Sequence, residues 1–169
     1  MFDGRPWPFF IVFFLFLAQN LLGVLFPGSA PSLPLVAVIY FSLRRGARFG
    51  TALGLFAGAL MELYGQGPFG FTMACWAALG AASGVVATQV FQDSVPAEIF
   101  LPAFAAYFLS FAELTYRRIG EGETFPWDGF FHAFQPGMLA GTVFASLVLF
   151  SLLRKTSSRP RRRPAPSRR

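Results

Sequence analysis

Apolar residues fill almost the whole chain in six long runs, separated only by short turns rich in Gly, Pro or charged residues. The runs lie at about 7–26, 31–45, 48–64, 71–91, 96–116 and 130–153. A helix needs about 20 mostly apolar residues to cross the hydrocarbon core of a bilayer. The pattern therefore predicts an all-α integral membrane protein, a bundle of about six transmembrane helices.

The low content of charged residues points to the same class of protein. Charged residues make up 13% of the chain and hydrophobic residues 54%, whereas soluble domains carry roughly 25% charge. Six spans within 169 residues leave no room for a separate soluble domain. We expect one membrane domain over residues 1–153 and a short tail over residues 154–169.

The first run has two interpretations. Arg5 and the small residues 28–30 resemble parts of a secretory signal peptide. The run is longer than the apolar core of about 7–15 residues that is usual in such peptides. Because further apolar runs follow at once, an uncleaved first span is favoured.

Positive charge is concentrated in the tail. Residues 154–169 hold eight of the 14 basic residues and no acidic one, so the rest of the chain carries six basic and eight acidic residues. A nucleic-acid-binding arm is one interpretation. The tail directly follows an apolar run, which favours a disordered cytoplasmic flank that contacts anionic lipid and binds no nucleic acid. The residues expected at the membrane surface are Arg154, Lys155, Arg161, Arg162 and Arg163.

The distribution of basic residues also predicts the orientation. Arg44, Arg45 and Arg48 cluster in one short loop, and four runs separate this loop from the basic tail. An even number of spans puts both clusters on one side, which the positive-inside rule makes cytoplasmic. Both termini are then cytoplasmic. Arg117 and Arg118 fall on the opposite side and depart from the rule, but the two larger clusters agree.

Small residues recur at four-residue spacing in three of the runs. They are Gly46, Gly50, Gly54 and Gly58 before and within the third run, Gly80 and Gly84 in the fourth, and Gly137, Gly141 and Ala145 in the sixth. In lipid no hydrophobic force drives helices together, so small residues that permit close contact mark helix interfaces. These repeats predict internal seams of the bundle or, alternatively, a surface that docks a partner's transmembrane helix.

Few polar groups lie within the runs. Glu62 and Glu113 stand near the ends of the third and fifth runs, where we expect interfacial carboxylates rather than a proton relay. Gln19 and Asn20 lie in the first run, where their amides would bond to another helix or line a small-molecule pocket.

Residue patterns typical of enzymes are missing from the sequence. It contains no P-loop, no G-x-S-x-G elbow, no H-E-x-x-H and no C-x-x-C pattern. Cys75 and His132 are the only residues of their kinds, so neither has a second residue of its kind as a metal partner, and no Cys lies near His132. We therefore expect a protein that is not an enzyme and that has no metal and no cofactor.

The most specific pattern lies between Pro31 and Gly70, PSLPLVAVIYFSLRRGARFGTALGLFAGALMELYGQGPFG. It combines a Pro-flanked short helix, a basic pair followed by Gly, a Gly-rich helix that ends in an acidic residue, and a turn that ends in Gly. This segment resembles the core of the rod shape-determining protein MreD family. The matching positions are Pro34, Arg44, Arg45, Gly46, Gly54, Gly58, Glu62, Pro68 and Gly70. Glu62 stands where the family has Asp, and Phe69 where it has Leu.

The resemblance implies a non-enzymatic scaffold of the bacterial cytoplasmic (inner) membrane that takes part in cell-wall elongation, rod cell shape and peptidoglycan synthesis. Its implied partners are an MreC-like single-span protein, a RodA-like glycosyltransferase and an elongation transpeptidase. The implied fold is similar to that of the substrate-binding subunits of energy-coupling-factor transporters. The partner-binding residues hypothesised on this basis are Arg44, Arg45, Gly50, Gly54, Gly58, Glu62 and Gly70.

The same similarity of fold supplies an alternative function, the substrate-capture subunit of an energy-coupling-factor-type vitamin transporter. Such a subunit would need a polar pocket at the outer end of the bundle, around Asn20, Glu62, Gln66 and Glu113. An enclosed pocket with convergent polar groups would favour this alternative. A filled interior with an exposed seam of small residues would favour the scaffold.

Overall fold

The computed structural model describes residues 6–25, 32–65, 70–89, 95–120 and 136–156. These residues are almost all helical, with no strand among them, so the prediction of an all-α fold is confirmed. The six described helices are α1 (Trp7–Leu25), α2 (Leu33–Arg45), α3 (Ala47–Leu63), α4 (Phe71–Gln89), α5 (Val95–Gly120) and α6 (Pro136–Thr156).

The shortest helix, α2, lies at the centre of the bundle. It has 13 residues, and the nine consecutive residues 34–42 are all buried. It contacts each of the other five described helices. A helix that is apolar on every side is typically surrounded by other elements, and the stretch LPLVAVIYFS meets that condition because it contains no charged residue.

The helices run alternately up and down. At one end of the bundle, the last turns of α2 meet the start of α1 on one side and the second half of α6 on the other. The Trp7 and Phe41 rings lie 5.3 Å apart, and the Tyr40 and Phe150 rings 4.9 Å apart. Arg44 and Arg45 lie in the last turn of α2 on this side. We call this side the arginine end.

At the opposite end, the last part of α1 meets the end of α3, with the Phe16 and Tyr64 rings 5.7 Å apart. The start of α2 meets α6 through a hydrogen bond from the Ser32 amide to the Thr142 hydroxyl oxygen, at 3.4 Å. The start of α4 meets the end of α5, where the rings of Phe71 and Tyr116 stack with their centroids 4.5 Å apart. We call this side the cavity end, because it holds the cavity described below.

The outer helices expose many large apolar side chains. The exposed members are Trp7, Phe10, Phe13, Phe14, Leu17, Leu21, Val24 and Leu25 on α1, Phe100, Phe104 and Phe108 on α5, and Phe144, Leu147, Val148 and Leu152 on α6. Judged by length and composition, α1 is the one described helix that is long and apolar enough to cross a membrane. Shorter apolar stretches occur at Phe71–Val86 and Ala140–Leu152.

Two helix boundaries differ from those expected from the sequence. Helix α5 continues to Gly120, so Arg117 and Arg118 belong to its last turns rather than to a polar loop. Helix α6 continues to Thr156, so the backbone of Arg154 and Lys155 is helical instead of opening the tail. Charged side chains with long aliphatic stems are good helix formers, and apolarity alone therefore underestimates both lengths. Arg161, Arg162, Arg163, His132 and Gln66 lie outside the described residues.

Candidate functional site

The closest helix contact in the described structure joins α3 to α4 along the glycine repeat. A Cβ atom built on Gly58 would lie 2.6 Å from Met73 Cα, and one built on Gly54 would lie 2.8 Å from the carbonyl carbon of Trp76. A Cβ on Gly50 would overlap the carbonyl oxygen of Gly80. Real side chains do not approach this closely, so at these positions only glycine allows the two backbones to touch.

The fourth helix contributes glycines of its own to the same contact. A Cβ on Gly80 would overlap the backbone of Gly50, and one on Gly84 would lie 2.5 Å from Ala47 Cα. Gly50, Gly54 and Gly58 are all buried. The face of α3 that carries them is therefore covered by α4 of the same chain, as expected of an internal seam. A partner's helix would need α4 to move before it reached these three glycines.

Glu62 continues the four-residue repeat of α3 and reaches the start of α4. It is 8% exposed, and its Oε1 accepts a hydrogen bond from the Met73 amide at 2.8 Å. Met73 lies in the first turn of α4, where amides have no partner within the helix. A carboxylate at this point also interacts favourably with the positive end of the helix dipole. Glu62 thus ties the end of α3 to the start of α4, and its described bond is to backbone rather than to an arginine.

Gly70 stands directly before α4 and has a φ of +84°. Its carbonyl oxygen accepts the first hydrogen bond of the helix, from the Ala74 amide at 3.1 Å. Side chains rarely adopt positive φ, so glycine permits the sharp entry into α4 at this position. The predicted partner-binding residues Glu62 and Gly70 therefore both shape the start of α4.

Arg44 and Arg45 lie at the junction of α2 and α3 and are exposed. The Arg44 guanidinium is 5.0 Å from the centre of the Tyr40 ring, and the Arg45 guanidinium is 4.7 Å from that of Phe49. Cations at this distance from aromatic rings are attracted to them. The two rings therefore attract the guanidinium groups, and both charges lie at the surface of the arginine end.

The basic residues of α6 lie at the same end. Within helix α6, Thr142 contacts Ser32, the residue before α2, and Phe150 contacts Tyr40 near the end of α2. The helix therefore runs from the cavity end towards the arginine end. Its last turn contains Arg154 and Lys155. The helix that leads into the basic tail therefore ends on the same side of the bundle as Arg44 and Arg45.

A cavity of about 160 Å³ lies at the cavity end, among α1, α3, α4, α5 and the residue before α2. Its polar lining residues are Gln19, Ser32, Ser110 and Glu113. Its apolar lining residues are Met61, Trp76 and Leu109. The cavity lies where α4 and α5 touch only sparsely, in contrast to the continuous contact between α3 and α4.

Only part of the pocket predicted from the sequence is found in this place. Glu113 lines the cavity. Glu62 is bonded to the Met73 amide, and Asn20 donates a hydrogen bond to the Phe16 carbonyl oxygen within α1, at 2.9 Å. Neither is among the described residues that line the cavity. Gln19, the neighbour of Asn20, lines it instead.

Sequence reasoning missed the apolar side of the cavity. Trp76 and Leu109 look like ordinary residues of apolar runs, and only their neighbours in space make them part of a site. One signal was present: Ser110 and Glu113 are three residues apart and therefore share a face of α5. Among the described residues, no group of three or more His, Cys, Asp or Glu side chains could hold a metal ion.

Comparisons of the chain with models of protein families, with curated proteins and with solved structures found no match.

We expect Gly54→Ala to lower the free energy of unfolding by about 1–3 kcal/mol, because the added methyl group overpacks the contact with Trp76. The matched control is Gly23→Ala in α1, where an added Cβ meets nothing within 4 Å. That control should leave stability unchanged or raise it slightly, since Ala is the better helix former. Both variants are measured by unfolding the purified protein with sodium dodecyl sulfate. Equal stabilities would contradict a close contact at Gly54.

We expect Glu62→Ala to lower the free energy of unfolding by about 1–2 kcal/mol, because it leaves the half-buried Met73 amide without its acceptor. Glu62→Gln keeps an oxygen at the same position and should retain most of the stability. Hydrogen exchange of the Met73 amide reports the bond directly. Exchange as slow in Glu62→Ala as in the parent protein would show that the bond does not protect this amide.

Proposed function

We propose that this chain is a multi-span membrane scaffold of the MreD type, which acts in cell-wall elongation by holding a single-span partner near the wall synthases. The observation that carries the proposal is the role of the segment 34–70, which holds the residues of the resemblance. Within the described part of that segment, the central helix α2, the glycine face of α3 and the entry into α4 form one continuous unit. The partners are an MreC-like protein, a RodA-like glycosyltransferase and an elongation transpeptidase.

The exposed surface supports a location within a bilayer. Phe100, Phe104 and Phe108 project from one side of α5 at four-residue spacing, and Phe10 and Phe14 do the same on α1. A water-soluble protein rarely exposes contiguous apolar surface of this extent, whereas lipid solvates it without cost. We place the protein in the bacterial cytoplasmic membrane, with the arginine end and both termini on the cytoplasmic side.

The glycine contact restricts how such a scaffold binds its partner. The repeat on α3 is occupied by α4, so recruitment of a partner's span would involve a surface other than Gly50, Gly54 and Gly58. Arg44 and Arg45 are exposed at the arginine end and remain candidates for contact with cytoplasmic partners or anionic lipid.

The alternative function, a substrate-capture subunit of a vitamin transporter, is favoured by one observation, the cavity with convergent polar groups. Its volume argues against this alternative. Pockets for drug-sized ligands and cofactors occupy about 300–1,000 Å³, while this cavity measures about 160 Å³. A vitamin would not fit without movement of the helices, and the scaffold therefore remains the preferred proposal.

The proposed orientation predicts the labelling of single cysteines. In a Cys75→Ser background, Gly120→Cys at the end of α5 should react with a membrane-impermeant maleimide in spheroplasts. Thr156→Cys at the end of α6 should react only after the membrane is permeabilised, because the two positions lie at opposite ends of the bundle. The reverse pattern would invert the orientation, and reaction of both without permeabilisation would contradict a membrane-spanning bundle.

Co-purification tests the scaffold itself. The tagged full chain is solubilised from its native membrane in mild detergent, and the proteins recovered with it are identified by mass spectrometry. We expect an MreC-like single-span protein and wall synthases. Recovery of a pair of ATPases with a coupling subunit would instead establish the transporter alternative.

Variants at the arginine end then test the role of the exposed pair. Arg44→Ala combined with Arg45→Ala should reduce recovery of the partners severalfold if the charges contribute to binding, because an exposed ion pair contributes about 0.5 kcal/mol. Arg44→Lys combined with Arg45→Lys is the matched control, because it keeps both charges and should retain recovery. Full recovery with the alanine pair would remove these residues from the binding surface.

A further inference from the structure

The amide oxygen of Gln19 is buried without a hydrogen-bond partner in the described part of the chain. This Oε1 atom accepts no hydrogen bond from any described residue. Asn20, its neighbour in α1, differs in this respect, because its amide donates a hydrogen bond to the Phe16 carbonyl oxygen. Buried polar groups are nearly always paired, and a buried acceptor that has no donor costs free energy. A donor from outside the described chain is therefore expected at Gln19.

The space for such a donor is the cavity, which Gln19 lines together with Met61, Trp76 and Leu109. The last torsion of a glutamine side chain is broad, so the amide oxygen can turn towards this space without leaving a preferred conformation. The three apolar residues provide none of the roughly three hydrogen bonds that a buried water molecule typically makes. A donor attached to an apolar body therefore suits this lining better than water does.

The other polar groups of the lining favour a ligand without charge. Ser110 donates its hydroxyl proton to the Ala106 carbonyl oxygen at 3.0 Å, and Glu113 already interacts with other groups of the chain. A cation would have to compete with those interactions, and an anion would meet the carboxylate of Glu113. Transfer of an unpaired charge from water into a protein is costly. A neutral ligand avoids this cost and leaves the existing interactions in place.

The size of the cavity limits the ligand further. An apolar protein cavity on the order of 150 Å³ holds one benzene molecule, and this cavity measures about 160 Å³. Trp76, which is 3% exposed, forms part of its wall, and aromatic rings pack favourably against each other edge to face or offset. The space therefore suits one ring of five or six atoms that carries one donor.

We propose that this cavity binds a small neutral molecule with an apolar ring and one N–H or O–H group, which donates to the amide oxygen of Gln19 while the ring packs against Trp76, Met61 and Leu109. The inference goes beyond the scaffold function and does not depend on it. A ligand in this position contacts α1, α3, α4 and α5 together, at the boundary where α4 and α5 touch only sparsely.

The fluorescence of Trp76 tests the proposal directly. The chain has three tryptophans, Trp7, Trp76 and Trp127, so Trp7→Phe combined with Trp127→Phe leaves Trp76 as the sole reporter. The detergent-solubilised full chain is titrated with pyrrole, whose ring carries an N–H donor, and with furan, a ring of nearly equal size without a donor. Pyrrole should change the emission of Trp76 saturably and bind about three- to tenfold more tightly than furan, the effect of one net hydrogen bond.

Three variants in that background identify the site. Gln19→Met keeps the length of the side chain but removes the amide, so pyrrole should bind about three- to tenfold more weakly. Furan binding should stay unchanged in this variant, which also shows that the cavity is still formed. Leu109→Phe should fill the cavity and weaken the binding of both probes. Leu147→Phe is the matched control: it makes the same substitution on the exposed face of α6, where Leu147 is 48% exposed, and should change neither affinity.

Each result decides the proposal. A preference for pyrrole that disappears in Gln19→Met supports it. The absence of saturable pyrrole binding, as expected of a cavity that holds only water, would overturn it. Equal affinity for the two probes, a preference that persists in Gln19→Met, or binding unaffected by Leu109→Phe would overturn it as well. The comparison of two probes on one protein does not depend on the folding of any cavity variant. Partner recovery in the co-purification is measured separately, so failure of one proposal is distinguishable from failure of the other.

Discussion

The contact between the backbones of α3 and α4 is the constraint on which the rest of this structure depends. Three glycines of α3 and two of α4 remove the side chains that would otherwise hold two helices apart. In lipid, where apolar side chains gain nothing by leaving the solvent, close approach and the dispersion contacts that come with it supply the stabilisation. The contact brings Glu62 to the first turn of α4 and turns Trp76 towards the interior.

Helix α2 lies against both helices of this pair and also contacts α1, α5 and α6. It joins two unequal parts of the bundle, the closely packed α3–α4 pair with α1, and the α5–α6 pair on the other side. Direct contact between these parts is sparse between α4 and α5, and the cavity lies there. The sparse packing at this boundary leaves the space that the cavity occupies.

This division suits a scaffold. The apolar surfaces of α1, α5 and α6 face outward and are available to lipid or to a partner's span, while the glycine contact keeps the interior in one arrangement. The arginine end carries Arg44 and Arg45 over aromatic rings, together with the last turn of α6, and so concentrates positive charge on one side. In the proposed function the chain would act by position, because its charged end and its apolar sides would define where the proposed partners meet.

The sequence by itself determined the all-α class, since apolar runs of this length and low charge predict helices. It also determined that Gly50, Gly54 and Gly58 line a close helix contact. Periodicity along one helix contains that information. It does not contain the identity of the helix on the other side, and only the tertiary structure showed that α4 takes that place. The same holds for Glu62, whose position near a helix end was readable but whose bond to the Met73 amide was not. Gln19, Trp76 and Glu113 are far apart in the chain and meet only because α1, α4 and α5 pack around one end of the bundle. Local patterns report which face of a helix will be buried, whereas the partner of that face depends on packing among helices distant in sequence, which no local pattern encodes.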